Sequence, residues 1–215
     1  MKVLIYTDVH GNLPAFEIML EKVGSCDKYI CLGDLVNYGP WSNECVELAL
    51  SLPNSTIIMG NHEDAFIKGT YSGSNVLVNS FFEKTRPNFT KTQNISQFLN
   101  ITKLDHFNCT HTINNMCIFP DTKIDLNNNF IIGHSHHQFS YSNSGFILFN
   151  SGSVGQNRKF INEINYLIYN TETKSISMKS ILYDIEPIIS QMKKENYPKI
   201  CIDYYLEKER KINKL

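Results

Sequence analysis

The stretch KVLIYTDVH, residues 2–10, decides how the rest of the chain is read. An apolar run, Val3 to Tyr6, turns abruptly polar at Asp8 and His10. A run this short, rich in β-branched and aromatic residues, reads as a buried strand. The same grammar returns in KYICLGD (28–34), STIIMGNH (55–62) and FIIGHSH (130–136). Glycine stands before the first polar residue in the last three, as Gly33, Gly60 and Gly133. Without a Cβ, glycine there permits a tight turn and close approach of backbone to a bound group.

Working outward, LPAFEIMLEKV (13–23) has apolar residues at helical spacing, with Pro14 in the first turn. SNECVELALSL (42–52) predicts a second helix capped by Ser42 or Asn43. Strand–helix–strand–helix–strand predicts a parallel, right-handed βαβ sheet. Ligands of such sheets bind beyond the carboxyl ends of the strands, where the polar residues fall. The alternation breaks over about 65–105, which is expected to be an inserted helical cap interrupted at Pro87. Further strands are expected at 106–112, 145–154 and 164–170, followed by a meander from 175 and a helix over 186–196. The lysine-rich tail after Tyr205 reads as helical or frayed. Residues 1–215 are expected to form a single domain.

Composition narrows the function classes. Net charge is −1 and charged residues make up 19% of 215. That balance argues against a dedicated nucleic-acid surface or an acidic-membrane surface. The cysteines at 26, 31, 45, 109, 117 and 201 form no CxxC and read as reduced structural thiols. The first apolar run is too short for a signal-peptide core, and no stretch approaches a membrane span, so a cytoplasmic protein is expected. The N-x-S/T triplets at Asn88 and Asn94 are read as chance in an asparagine-rich chain.

The polar strand ends collect Asp8, His10, Asp34, Asn61, His62, His134, His136 and His137. Side chains two apart in an extended segment point the same way, so Asp8 and His10 are placed to share a metal. His134 and His136 repeat that spacing, and His137 is out of phase. Carboxylate, amide and imidazole donors make a hard-to-borderline divalent site. The ligands outnumber one ion's needs, so two ions bridged by a carboxylate are expected.

The residues Asp8-Val9-His10, Gly33-Asp34, Gly60-Asn61-His62-Glu63 and Gly133-His134-Ser135-His136 resemble, in order, the motifs of calcineurin-like metallophosphoesterases. The resemblance covers roughly residues 1–160. It implies an α/β fold of two mixed β-sheets packed face to face and flanked by helices, a four-layer αββα sandwich. It further implies that Asp8, His10 and His136 hold one metal, that Asn61, His134 and a mid-chain histidine hold the other, and that Asp34 bridges both. His106 and His111 are the mid-chain candidates, and His111 is favoured because NCTHT is strand-like and leads into a loop. Thr112 follows His111 where family members often have glycine. His134 and His136 thus go to different ions, with Gly133 expected to turn the strand end sharply. His62 is implied to protonate the leaving oxygen, and Glu63 to support from behind. Two divalent ions, with Mn²⁺ favoured and Fe, Zn, Ni or Co compatible, would share a hydroxide that attacks phosphorus.

Relatives that act on phosphoproteins carry GDxxDRG, and symmetrical dinucleoside tetraphosphatases keep the Arg; here Tyr38 stands in that place. GDLVNYGPWSNECVELA and NSGSVGQNR (150–158) are instead similar to small bacterial and archaeal phosphodiesterases. Arg158 is the candidate substrate-binding residue. The implied function is hydrolysis of phosphodiester or nucleotide phosphoester substrates. An asymmetric dinucleoside polyphosphate hydrolase is the alternative enzyme. A non-catalytic scaffold of the same fold, like a retromer subunit, is the alternative outside enzymes. The expected partner is a small phosphoester or nucleotide.

Overall fold

The structure, a computed structural model, describes residues 1–212. The end of the expected domain span and of the lysine-rich tail, 213–215, lies outside the described residues. The first half alternates as its sequence implies: β1 (Lys2–Tyr6), α1 (Leu13–Val23), β2 (Lys28–Cys31), α2 (Ser42–Ser51) and β3 (Ser55–Ile57), with β1–β2 and β2–β3 parallel. The Asn12 side chain caps α1 by accepting from the Ala15 N–H, and Pro14 sits in its first turn. Neither expected cap serves α2, whose N-cap is Trp41. Ser42 Oγ instead accepts from the Asn37 N–H at 3.1 Å, and Asn43 binds the backbone of Asn88 and Thr90.

Then come α3 (Asn61–Lys68), α4 (Val76–Thr85), a 3-10 turn (Arg86–Asn88) and α5 (Thr92–Ile95). The expected helical cap over 65–105 therefore needs correcting at its end, because β4 (Ile101–Leu104) pairs antiparallel with β5 (Phe107–Thr110). The remaining elements are β6 (Asn129–Ile132), β7 (Gln138–Asn143), β8 (Phe146–Ser151), β9 (Glu163–Asn170), β10 (Ser175–Leu182), α6 (Glu186–Lys194) and α7 (Lys199–Glu207).

The strands form two mixed five-stranded sheets, ordered β10-β9-β1-β2-β3 and β4-β5-β6-β8-β7. Alternation along each strand splits its side chains between two cores. Val3, Ile5, Ile30 and Leu32 from the first sheet meet Phe107, Cys109 and Ile131 from the second. Leu4, Tyr6 and Cys31 face the other way, in one cluster with Phe16 of α1, Phe81 of α4, Ile189 of α6 and Tyr205 of α7. The outer face of the second sheet is covered by a loop: Ile118 and Leu126 are buried there with Ile132 and Leu148. Among the described residues all six cysteines are free, and no helix is long and apolar enough to cross a membrane.

Candidate metal centre

The strand ends do not deliver their ligands in extended conformation. β1 stops at Tyr6 and β6 at Ile132, before the polar residues begin. Asp8 (φ 54°), His10 (φ 51°), Asp34 (φ 56°), His134 (φ 70°) and His136 (φ 59°) are all left-handed. The two-residue spacing therefore works by alternating left-handed corners, and the side-sharing argument from an extended strand is corrected. Gly133 does not make the turn, since its φ is not positive. It makes room: a Cβ there would lie 2.2 Å from Thr7 Oγ1 and 2.7 Å from Asp8 Oδ2.

Left-handed non-glycine residues cost about 1–3 kcal/mol each and persist where their surroundings over-determine them. Backbone bonds stitch the corners together, Asp8 N–H to the Gly33 carbonyl, His10 N–H to that of Asp34 and Gly11 N–H to that of Leu35. Glu63, fully buried, accepts from the N–H groups of Asp34, Leu35, Val36 and Gly60 at 2.7–3.2 Å. Burial and the neighbouring Asp34 push its carboxyl up to about 7, against which those donors favour the ionised form. The end of β8 and the loop after it brace the other side: Ser153 Oγ–H donates to the Asp8 carbonyl, and Asn150 donates to that of Gly133.

Three buried residues, Asp8, His10 and His136, form the first cluster. His10 Nδ1 lies 3.0 Å from the Val36 carbonyl and His136 Nδ1 2.7 Å from that of Gln156. A carbonyl only accepts, so both Nδ1 atoms carry their protons and both Nε2 atoms present lone pairs. Those lone pairs lie 3.2 Å apart. Asp8 Oδ1 faces them at 3.1 Å from His136 and 3.6 Å from His10. Asp8 Oδ2 is satisfied by Thr7 Oγ1–H and His134 N–H, but Oδ1 is buried and finds no hydrogen-bond partner among the described residues. Acceptors converging in a buried space without a proton between them fit a cation. Burial lowers His136 to about 4, which keeps it in the ligating form.

The second cluster is built alike but opens outward. His111 Nδ1 donates to the Leu32 carbonyl at 2.8 Å. Its Nε2 lies 3.0 Å from Asn61 Oδ1, 3.1 Å from His134 Nδ1 and 3.3 Å from Asp34 Oδ2. Asp34 Oδ2 also lies 3.8 Å from His10 Nε2, so one carboxylate oxygen faces both clusters. Burial opposes its charge, but the surrounding imidazoles of His111, His62 and His10 hold it well below the usual carboxylate range. The structure brings His111 to this cluster and leaves His106 exposed beside Asp105. His137 stands apart, half-buried, its ring 5.8 Å from that of Phe119.

His62 stands over the gap, grouped with His10 and Asp34 within ligand distance of one another. Its backbone N–H donates to Asp34 Oδ1 at 2.9 Å. Its ring is edge-on to those of His10 and Tyr38 and stacked on Tyr71 at 5.8 Å. Burial lowers it to about 3. Arg158 lies beside this group, its guanidinium 6.0 Å from the Tyr38 ring centre and donating to Tyr204 Oη at 2.6 Å.

Sequence reasoning missed three contributors. Asn37, buried and left-handed (φ 71°), holds His62 Nδ1 at 2.9 Å. Tyr204 and Tyr205 of α7 bind Gln156 and so fix the segment that carries Arg158. For Asn37 a signal existed, an amide three residues after Asp34 that opens the turn-forming stretch NYGP. For the tyrosines none did, because only the fold brings α7 here.

A profile of calcineurin-like phosphoesterases matches residues 1–151. An uncharacterized protein of Methanocaldococcus jannaschii is 28% identical over 236 residues, spanning 91% of this chain and 93% of that protein. A metallophosphoesterase from Sphaerobacter thermophilus shares the fold with a TM-score of 0.78 at 24% identity, covering 96% of this chain and 99% of that one. A hypothetical protein from Pyrococcus horikoshii OT3 superposes equally well, TM-score 0.78 at 14% identity, over 95% and 97% of the two chains. Both likenesses extend past the profile's end.

Proposed function

Because the chain belongs to the calcineurin-like phosphoesterase family, we propose that its metal-dependent phosphoester hydrolysis uses two divalent ions and acts on phosphodiesters or nucleotide phosphoesters. The observation that carries this reading is the single Asp34 oxygen facing two separate groups of lone pairs. Asp8, His10 and His136 would hold one ion, Asn61, His111 and His134 the other, and Asp34 both. Oxygen and imidazole donors without thiolate favour Mn²⁺, with Fe, Zn, Ni and Co compatible. When bound, such ions supply Lewis-acid polarisation of the phosphoryl oxygens and a water that ionises near neutral pH.

This chain's own residues do the rest. Glu63 and the left-handed corners hold the ligands in place, so little reorganisation is needed during reaction. Arg158 offers its guanidinium to a non-bridging phosphate oxygen, the task that Tyr38 cannot perform at the arginine position of other relatives. Tyr71, partly exposed and stacked on His62, is placed to meet an aromatic leaving group or nucleobase, while Tyr38, buried against His10, His62 and Phe81, supports His62 from within. His62 serves the departing oxygen from Nε2.

The test is a panel of aryl phosphodiesters, nucleotides and dinucleoside polyphosphates, assayed after chelation and after re-addition of single metals. Activity should vanish with chelator and return best with Mn²⁺. Full turnover in protein stripped of detectable metal would overturn the reading. Preference for the dinucleoside polyphosphates would move the substrate class to those compounds.

A further inference from the structure

Two cations at the edge of the metal centre have no acid to answer them. Arg158 is held through Nη1, which donates to Tyr204 Oη at 2.6 Å and reaches Gln156 Oε1 at 3.5 Å. Among the described residues its Nε and Nη2 make no hydrogen bond and no carboxylate pairs with it. Lys208, half-buried at the end of α7, carries its ammonium 5.1 Å from the centre of the same Tyr204 ring. It too forms neither hydrogen bond nor ion pair among the described residues. Burial, and then the charge of Arg158, push that ammonium down, as expected of like charges sharing a partly dry space. The ring faces of Tyr38 and Tyr204 offset part of this repulsion. Asp8, whose charge also reaches Arg158, stands among the first group of ligands, where an ion would claim it.

The flank beside Asn61 has the opposite character. A cavity of about 360 Å³ lies there, lined by Asn61 and His111 together with Asp64, Asn100, Thr112 and Asn115. No lysine or arginine lines it, and its carboxylate, Asp64, is tied to Lys68 at 2.6 Å. The surroundings of the metal centre are therefore polarised, with amides and hydroxyls on one flank and unanswered cations on another.

We propose that Arg158 and Lys208 form a subsite for a second phosphate group of the substrate, beside the phosphoester that is hydrolysed. The inference rests on the reading of Arg158 as a partner of the attacked phosphate, and it narrows the substrates to compounds that carry two phosphates. The free edge of the guanidinium offers a planar fork suited to phosphate oxygens, and Lys208 adds a point charge that needs no fixed alignment. An anion between them replaces repulsion by attraction. The amide-lined cavity offers an anion no cation and suits the uncharged part of the substrate, such as a nucleoside. A diester of two neutral groups would leave Lys208 unanswered.

Calorimetric binding of three probes to the Mn²⁺-loaded protein, at fixed free Mn²⁺, tests this without turnover. The probes are AMP, its α,β-methylene diphosphate analogue and adenosine 3′,5′-bisphosphate. At least one of the two-phosphate probes should bind roughly 10-fold tighter than AMP, the worth of one charge-assisted contact. Gain by the methylene analogue means that the second phosphate is joined directly to the first; gain by the 3′,5′-bisphosphate means that it sits across the ribose. Either supports the subsite. Lys208→Gln should remove that advantage, and Lys208→Glu should reverse it. Lys199→Gln, which removes an exposed α7 charge paired with Asp203, should leave the advantage as it is. Equal affinity for all three probes in the wild type would overturn the proposal. So would an advantage that survives in Lys208→Gln with metal content and melting temperature retained. If the Lys208 variants do not fold, the wild-type comparison decides alone. The underlying reading fails separately, if the metal-loaded protein binds the probes as expected but hydrolyses no phosphoester.

Discussion

The two halves of the metal cage differ in depth more than in chemistry. Asp8, His10 and His136 are at most 4% exposed, and two of their ring nitrogens are pinned by carbonyls from different loops. In the other half Asn61 is exposed and His134 half-buried, and a neutral amide stands where the first half has a carboxylate. A buried carboxylate acts through a low dielectric, and an exposed amide does not. The deep half should therefore bind its ion tightly and exchange it slowly, and the open half should bind weakly and exchange fast.

Removing the shared charge should have the largest effect. Asp34→Asn is expected to lower metal content in both halves and to cost more turnover than the roughly 10–100-fold typical of outer-shell partners. Metal analysis with parallel kinetics checks this; loss from the open half alone would show that Asp34 does not couple the two. Next come the paired histidines. His136→Ala should lose activity that added metal does not restore, whereas His134→Ala should recover substantially at high metal concentration. Equal rescue of both would erase the distinction of depth. His111→Ala should then weaken the open half, and His106→Ala should not, as metal titration of the two variants would show. The smallest effect belongs to His137→Ala, expected to leave metal content unchanged and stability within about 0.5 kcal/mol. Emptying of either half in that variant would place His137 among the ligands.

Much of this was legible because β1, β2, β3 and β6 announce themselves by short apolar runs, and Asp8, His10, Asp34, Asn61, His134 and His136 follow closely on them. The conformation after the strand was not legible. Nothing in the spelling of DVH or HSH shows that both members of each pair are left-handed, and an extended reading groups residues that the fold does bring together, but by the wrong geometry. Gly133 illustrates the same gap: its lost Cβ serves Thr7, a residue 126 positions away. The edge strand β7, QFSYSN, is polar and half exposed, so it lacks the buried pattern that marks its neighbours. Helix α7 lay partly in what reads as a lysine-rich tail, yet Tyr205 is fully buried and Tyr204 holds Arg158. Contacts between residues 46 apart leave no local trace.

The left-handed corners also restrict the alphabet in which this cage can be written. Asp, Asn and His are the non-glycine residues most often found at positive φ, and Asp8, His10, Asp34, Asn37, His134 and His136 come from that set alone. Each position is thus constrained twice, once by what its side chain must bind and once by what its backbone must tolerate. Glutamate could offer the same carboxylate, and cysteine a stronger donor for soft metals, but neither is at home in that conformation. For an engineer, retuning the metal preference here by ligand exchange means redesigning the corner as well as the ligand. For drifting descendants of this sequence, few single-residue paths lead away from its present donor set.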